Sequence, residues 1–217
     1  RSYRTYGSIA GFSRSIHYSI LKKPEGYSLE KVEEITSKYE SDTVDTSKKR
    51  PNVITIINEA FSDPKVLADI KTNEDYMPFI HELMENGNTV SGTSYASIVG
   101  GQTANTEYEF LTGNSMAFLP KGTVAFQLYL RHAMPSLVTE LKSEGYTGNS
   151  ATHLQKARNY NRDKAYPLLG FDKFYDYTNM GVPFVKMRNN ATDECTYDNI
   201  IHDYEENREK SDAPYFA

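Results

Sequence analysis

Apolar positions in this chain fall into short runs with strand or helix spacing, separated by polar stretches. Val53, Ile54, Ile56 and Ile57 form a nearly continuous run broken only by Thr55. That is the pattern of a short buried parallel strand, and it ends in Asn58-Glu59. Ahead of it, Leu29, Val32, Ile35 and Tyr39 recur on one face of a helix predicted over Ser28–Tyr39, with Ser28 as its cap. Residues 1–26 predict an irregular approach segment, and residues 41–50 a polar linker. Tyr76–Asn86 reads as an amphipathic helix with Phe79, Ile80, Leu83 and Met84 inward and Gly87 closing it, and Thr89–Ser94 is β-prone. Pro135–Glu144 predicts a helix with Leu137, Val138 and Leu141 inward, stopped by Gly145. Thr147–Thr152 predicts a strand that ends at His153, Asn161–Leu168 a short helix, and Phe171–Asp176 a strand. Asp193–Glu209 predicts a polar helix, and Ala213–Ala217 the first residues of a further strand. Strands alternating with helices imply a three-layer α/β fold around a mostly parallel sheet.

The stretch Gly100–Gly113 stands out from this pattern. Paired glycines precede a hydroxyl residue, Thr103, at the start of a predicted helix. Thr106 and Glu109 have capping-box spacing, which puts the helix start between Thr103 and Thr106. A threonine there sits among backbone N–H groups without helical partners, in a field that favours phosphate or sulfate.

Composition narrows the function. The 217 residues carry 24 basic and 29 acidic side chains, a net charge of −5, with no basic surface suited to nucleic acid. No apolar run is long enough to span a membrane, and no secretory signal is present. The single cysteine, Cys195, excludes an internal disulfide. The chain opens at Arg1 rather than Met, and so reads as an excised piece.

Glu59, Thr103 and His153 fall at predicted strand ends or a helix start, and Arg162 follows His153 by nine residues. A carboxylate and a hydroxyl can share a divalent cation that activates the hydroxyl as a nucleophile. Arg and His can hold phosphate oxygens. Taken singly, each residue has a plainer reading: Glu59 a solvated loop residue, Thr103 an N-cap, His153 a structural histidine, Arg162 a surface base.

Four blocks taken together are more specific. Asn52–Asp63, Gly101–Phe110, His153 through Asn161-Arg162-Asp163, and Leu169–Phe174 resemble, in order and spacing, the lipoteichoic acid synthase group. These are phosphoglycerol transferases of the sulfatase and alkaline phosphatase superfamily. The resemblance covers residues 51–217 as the N-terminal portion of a sulfatase-like catalytic domain. By the same resemblance, residues 1–50 are expected to be a lead-in segment with one helix, following a membrane anchor. It implies the three-layer alkaline-phosphatase/sulfatase-like α/β fold, here truncated at its C-terminal side. It also implies an extracellular domain on the cell membrane, most in keeping with a Gram-positive bacterium.

By that resemblance Thr103 is the catalytic nucleophile, taking glycerol phosphate from phosphatidylglycerol and passing it to a growing polymer or a glycolipid. Glu59 and Thr103 are metal ligands, for Mn2+ foremost, with Mg2+ or Zn2+ as alternatives. His153, Arg162 and Tyr160 contact substrate, Tyr160 standing where the group carries tryptophan. The group's later Asp-His metal pair would lie beyond Ala217, and His202 in a polar helix is a poor replacement. The fragment alone is therefore expected to be inactive and to dimerise through an open sheet edge. Sulfatase chemistry itself is not expected. Thr103 is followed by Asn105 and Glu107, where a sulfatase carries Pro and Arg after its Cys or Ser. Two alternatives stand beside the transferase. One is a phosphodiesterase or sulfuric-ester-type hydrolase of the same fold. The other is a non-catalytic module binding anionic polymer or lipid headgroups.

Overall fold

A computed structural model of the chain describes all residues except 1, 22, 40–47, 59–60, 99–101 and 189. Its helices are α1 (Ser2–Ser19), α2 (Leu29–Thr36), α3 (Pro78–Glu85), α4 (Thr103–Thr112), α5 (Ala125–Leu128), α6 (Leu137–Ser143), α7 (Arg162–Leu168) and α8 (Asp193–Arg208). Its strands are β1 (Thr147–Gly148), β2 (Ser150–Thr152), β3 (Lys173–Tyr175), β4 (Lys186–Met187), β5 (Asn190–Ala191) and β6 (Tyr215–Phe216).

The main sheet is parallel. Val53 bridges Phe216, β6 pairs with β1, and β2 pairs with β3. β1 and β2 are the two halves of the predicted 147–152 strand, split at Asn149, whose φ of 45° is left-handed. A small antiparallel pair, β4–β5, lies apart. Alternation along the strands separates two helical layers. Phe216, Ala151 and Phe174 face a core built with Ala104, Tyr108 and Leu111 of α4, Phe126 of α5, Val138 of α6 and Ala165 and Tyr166 of α7. Ser150, Lys173, Tyr175 and Tyr215 instead converge on Asp203 of α8. The sheet is thus covered on both faces, as a three-layer α/β fold requires.

Asp203 is 1% exposed, and its two oxygens accept from Ser150 Oγ (2.7 Å), Lys173 Nζ (2.6 Å), Tyr175 OH (2.7 Å) and Tyr215 OH (2.8 Å). Burial alone would raise its pKa, but these donors outweigh burial and hold the carboxyl below its ordinary value. The cluster ties α8 to β2, β3 and β6. Ser136 caps α6 through a capping box with Thr139, and its hydroxyl reaches the Leu169 carbonyl (2.5 Å).

Several expectations are corrected. Residues 2–19 are helical, kinked at Gly7, rather than irregular. The first strand pairs only over Val53–Ala217, through Val53 N–H to Tyr215 O, Ala217 N–H to Val53 O and Thr55 N–H to Ala217 O. Ile54 and Ile56 are more than half exposed, because this segment is the last described strand on its side of the sheet. α3 buries no residue, and Asn86 rather than Gly87 caps it. Thr89–Ser94 forms no strand: without a neighbour to pair with, β propensity alone does not make one. Most of the predicted 41–50 linker lies outside the described residues.

Candidate active site

α4 begins at Thr103, one residue after Gln102, which takes the left-handed conformation (φ 72°, ψ 48°) that swings the chain into the helix. A buried amide fixes this entry. Asn105 Nδ2 donates to Gln102 Oε1 (3.0 Å) and to the Thr123 carbonyl (2.8 Å), and Oδ1 accepts from Ala125 N–H (2.9 Å). Thr103 therefore lies in the first turn, where backbone N–H groups lack helical acceptors. The expected Thr106–Glu109 capping box does not form. Glu109 lies in the third turn of α4, and its carboxylate instead takes the backbone N–H of Met116 (2.6 Å) and the hydroxyl of Ser97. Gly100 and Gly101 lie outside the described residues.

One turn beyond Thr103, on the same side of the helix, is Glu107. Its carboxylate accepts from Arg162 Nε (2.8 Å) and Nη2 (2.5 Å) and from Tyr166 OH (2.8 Å). Both charged side chains are buried, Arg162 at 1% exposure and Glu107 at 5%. Burial alone would lower the guanidinium's pKa, but the hydrogen bonds and charge of Glu107 outweigh it and hold it raised. Burial and the neighbouring carboxylate push the Tyr166 phenol well up. Arg162 Nη1 donates to the Asn159 carbonyl (3.1 Å), and its guanidinium carbon lies 5.4 Å from the centre of the Tyr160 ring. Arg162 is thus not the surface base that its sequence context allowed. Glu107 was missed by the sequence reading, although its i,i+4 spacing from Thr103 was visible.

His153 follows β2, and its N–H continues the ladder to the Tyr175 carbonyl (2.9 Å). Its Nδ1 accepts from Gln155 N–H (3.0 Å), the shorter of its two contacts with Gln155, which assigns the ring proton to Nε2. Burial first, then the Arg162 charge, depress its pKa, so the ring is neutral at pH 7. The loop that follows is pinned where Asp176 accepts from Ala157 N–H (2.7 Å). It ends in two successive left-handed residues, Tyr160 (φ 56°) and Asn161 (φ 67°), with Asn161 Nδ2 held by the Phe126 carbonyl (3.0 Å). With Gln102, three non-glycine residues around Thr103 and Arg162 occupy a costly backbone region, a feature that clusters at functional sites.

Thr103, His153, Tyr160, Arg162 and Glu107 all line one cleft of about 640 Å3. It opens beyond the carboxyl ends of β2 and of the Val53–Thr55 segment, where α/β sheets place ligands. The first turn of α8 adds Asp193 and Thr196, so two helix N-termini face it. Among the described lining residues the charged side chains are Arg162, Glu107 and Asp193. Glu107 neutralises Arg162, and Asp193 in the first turn of α8 leaves these side chains with a net negative charge, so the positive contributions that remain are the backbone N–H groups at the helix starts. Asn58 lines the cleft, while Glu59, the expected metal ligand, lies outside the described residues. Among the described residues no group of three or more His, Cys, Asp or Glu could hold a metal ion, so those side chains alone do not make a metal site.

Residues 51–217 match the sulfatase family. A Rhizobium meliloti protein provisionally named for cyclic β-1,2-glucan modification is 34% identical over 94% of this chain and 31% of its own length. Lipoteichoic acid synthase 1 of Bacillus subtilis is 33% identical over 60% of this chain and 20% of its own length. The chain thus spans about a third or less of the relatives it matches. Among solved structures, the Streptococcus pyogenes phosphoglycerol transferase GacH, in complex with sn-glycerol-1-phosphate, superposes with a TM-score of 0.65. That match covers 90% of this chain and 52% of the other at 24% identity, and it establishes a shared fold.

Proposed function

Because this chain belongs to the sulfatase family, we propose that it forms part of the catalytic domain of a phosphoglycerol transferase, with Thr103 as the nucleophile. The observation that carries this reading is the position of Thr103 in the first turn of α4, facing a cleft shared with His153, Tyr160 and Arg162. A phosphodiester held there meets backbone N–H groups and the positive ends of two helices. The lipoteichoic acid synthases among its relatives and the glycerol-phosphate complex of GacH support a glycerol phosphate group as cargo.

In the first step Thr103 Oγ1 forms a bond to phosphorus and gives up its proton. The ester bond from phosphorus to the diacylglycerol oxygen breaks, and that oxygen leaves protonated. In the second, an acceptor hydroxyl attacks phosphorus, loses its proton, and Thr103 Oγ1 departs as the restored alcohol. The Nε2–H of neutral His153 can donate to a phosphoryl oxygen. Arg162 can offer at most the second N–H of each Nη, since Nε and one N–H of Nη2 are committed to Glu107 and one N–H of Nη1 to the Asn159 carbonyl. Tyr160 supplies an aromatic wall. Glu59 and Thr103 would hold a divalent cation, manganese foremost, which when bound would favour loss of the Thr103 hydroxyl proton. The glucan-modifying relative aligns with more of the chain than the lipoteichoic acid synthases do, which favours a saccharide hydroxyl as acceptor.

The test uses the protein that carries these residues, presented with phosphatidylglycerol labelled in its headgroup glycerol and with a β-glucan or a glycerol phosphate polymer. Label on the acceptor, diacylglycerol released in equal amount, and loss of both in Thr103→Ala are the expected results. Release of free glycerol phosphate at the same rate without acceptor would assign a hydrolase. Unchanged turnover in Thr103→Ala would remove the nucleophile.

A further inference from the structure

We infer that α1 lies in the surface of an anionic lipid bilayer, with Ile9, Phe12 and Ile16 turned into it and Ile20 just beyond its end. At 100° per residue the three helical positions fall within an arc of about 60°. All four are exposed, Ile9 at 85% and Ile20 at 61%. Residues 4–17 other than Gly11 are exposed, as are Ile20 and Leu21, so this stretch of α1 is not held by burial of its side chains against the sheet or its helices. Beyond the kink at Gly7 the regular helix is only Ser8–Ser19, a length that is marginal in water without a surface to pack on.

Charge selects the occupant. Residues 1–24 contain Arg1, Arg4, Arg14, Lys22 and Lys23 and no acidic residue, within a chain of net charge −5. A protein partner could use the apolar stripe alone, whereas a stripe in a purely basic segment fits a negatively charged lipid face. α2 makes the contrast within the same molecule: its exposed Leu29, Val32 and Ile35 share the helix with Glu30, Glu33 and Glu34. α1 is too polar to cross a bilayer, and no helix among the described residues is long and apolar enough to do so. This inference stands apart from the transferase reading, since it uses none of the cleft residues.

The test is co-sedimentation of the 217-residue chain with vesicles of phosphatidylcholine alone, or with a third of phosphatidylserine or of phosphatidylglycerol. Partitioning onto both anionic vesicles about tenfold or more above phosphatidylcholine, falling at high salt, is the expected result. It should be lost in Ile9→Ser/Phe12→Ser/Ile16→Ser and in Arg4→Glu/Arg14→Glu/Lys23→Glu. Neither set touches the core, so thermal unfolding should be unchanged. Equal binding to neutral and anionic vesicles, or binding that survives both sets, would overturn the inference. So would binding to phosphatidylglycerol alone that sn-glycerol-1-phosphate displaces, which would place the contact in the cleft. Self-association abolished by the serine substitutions would make a second copy the occupant and overturn it equally.

Discussion

Glu107→Ala is the substitution for which the structure gives the largest consequence near the cleft. It would leave Arg162, at 1% exposure, with no counter-charge for its Nε and Nη2 groups, and Tyr166 OH with no acceptor. Breaking a buried pair from one side costs about 3–5 kcal/mol, because the remaining ion cannot regain its hydration. At about 2–4 °C per kcal/mol for a chain of this size, the melting temperature should fall by about 6–20 °C. Urea unfolding should show a lower midpoint with the slope unchanged. Removing both charges with side chains of similar volume, Glu107→Leu with Arg162→Met, should recover most of the loss, since an apolar replacement of a buried pair is often neutral or stabilising. A double-mutant cycle with the single variants Glu107→Leu and Arg162→Met then isolates the coupling. A Glu107→Ala cost below about 1 kcal/mol, the range of exposed pairs, would refute the reasoning. It would mean that water reaches the guanidinium, and that Arg162 is open to phosphate along all its edges.

Four further substitutions test other parts of the fold. Asp203→Ala should destabilise by about 3–5 kcal/mol in denaturant titrations, through Lys173 and three hydroxyls left without their acceptor. Because the folded Asp203 carboxyl is held below its ordinary value, its stabilisation is complete above the unfolded pKa of about 3.9. It is lost as pH falls through the folded value, so Asp203→Asn should flatten the acid limb of the melting curve. Gly148→Ala should cost about 2–5 kcal/mol: φ is +83°, and the new methyl would overlap the Tyr215 ring, which Asp203 holds in place. Asn105→Ala should cost about 1–3 kcal/mol and release the α4 entry, read as faster amide exchange at Gln102 to Thr106.

The periodic parts of the fold were legible in the sequence. The α6 and α7 helices, the 147–152 strand and the Asp193 helix all appear, shifted by a residue or two at their ends, because each pattern carries its own cap or apolar period. What the pattern did not carry is pairing. Val53–Ile57 reads as buried, yet burial depends on a neighbour on each side, and only β6 lies beside it among the described residues. α1 was missed for a related reason. Its serines and glycines and its basic residues give no strong helical signal, and its apolar stripe meets no core that would mark it as inward.

At the cleft, residue types were legible beforehand but the bonds between them were not. The grouping of Thr103, His153, Tyr160 and Arg162 was expected from their family-like spacing, and the structure brings these four to one cavity. A lone arginine in a charged stretch reads as a surface base, and nothing local predicts a carboxylate 55 positions earlier as its partner. That pairing changes what the site can do. A buried Arg162 already matched by Glu107 contributes direction rather than net charge, and Asp193 and Glu194 offset the start of α8, so a phosphate in this cleft would have to draw its attraction from the start of α4 and from a cation. Under the proposed function, a site so balanced would hold a phosphodiester without trapping it, which would suit a group taken up from one substrate and released to another.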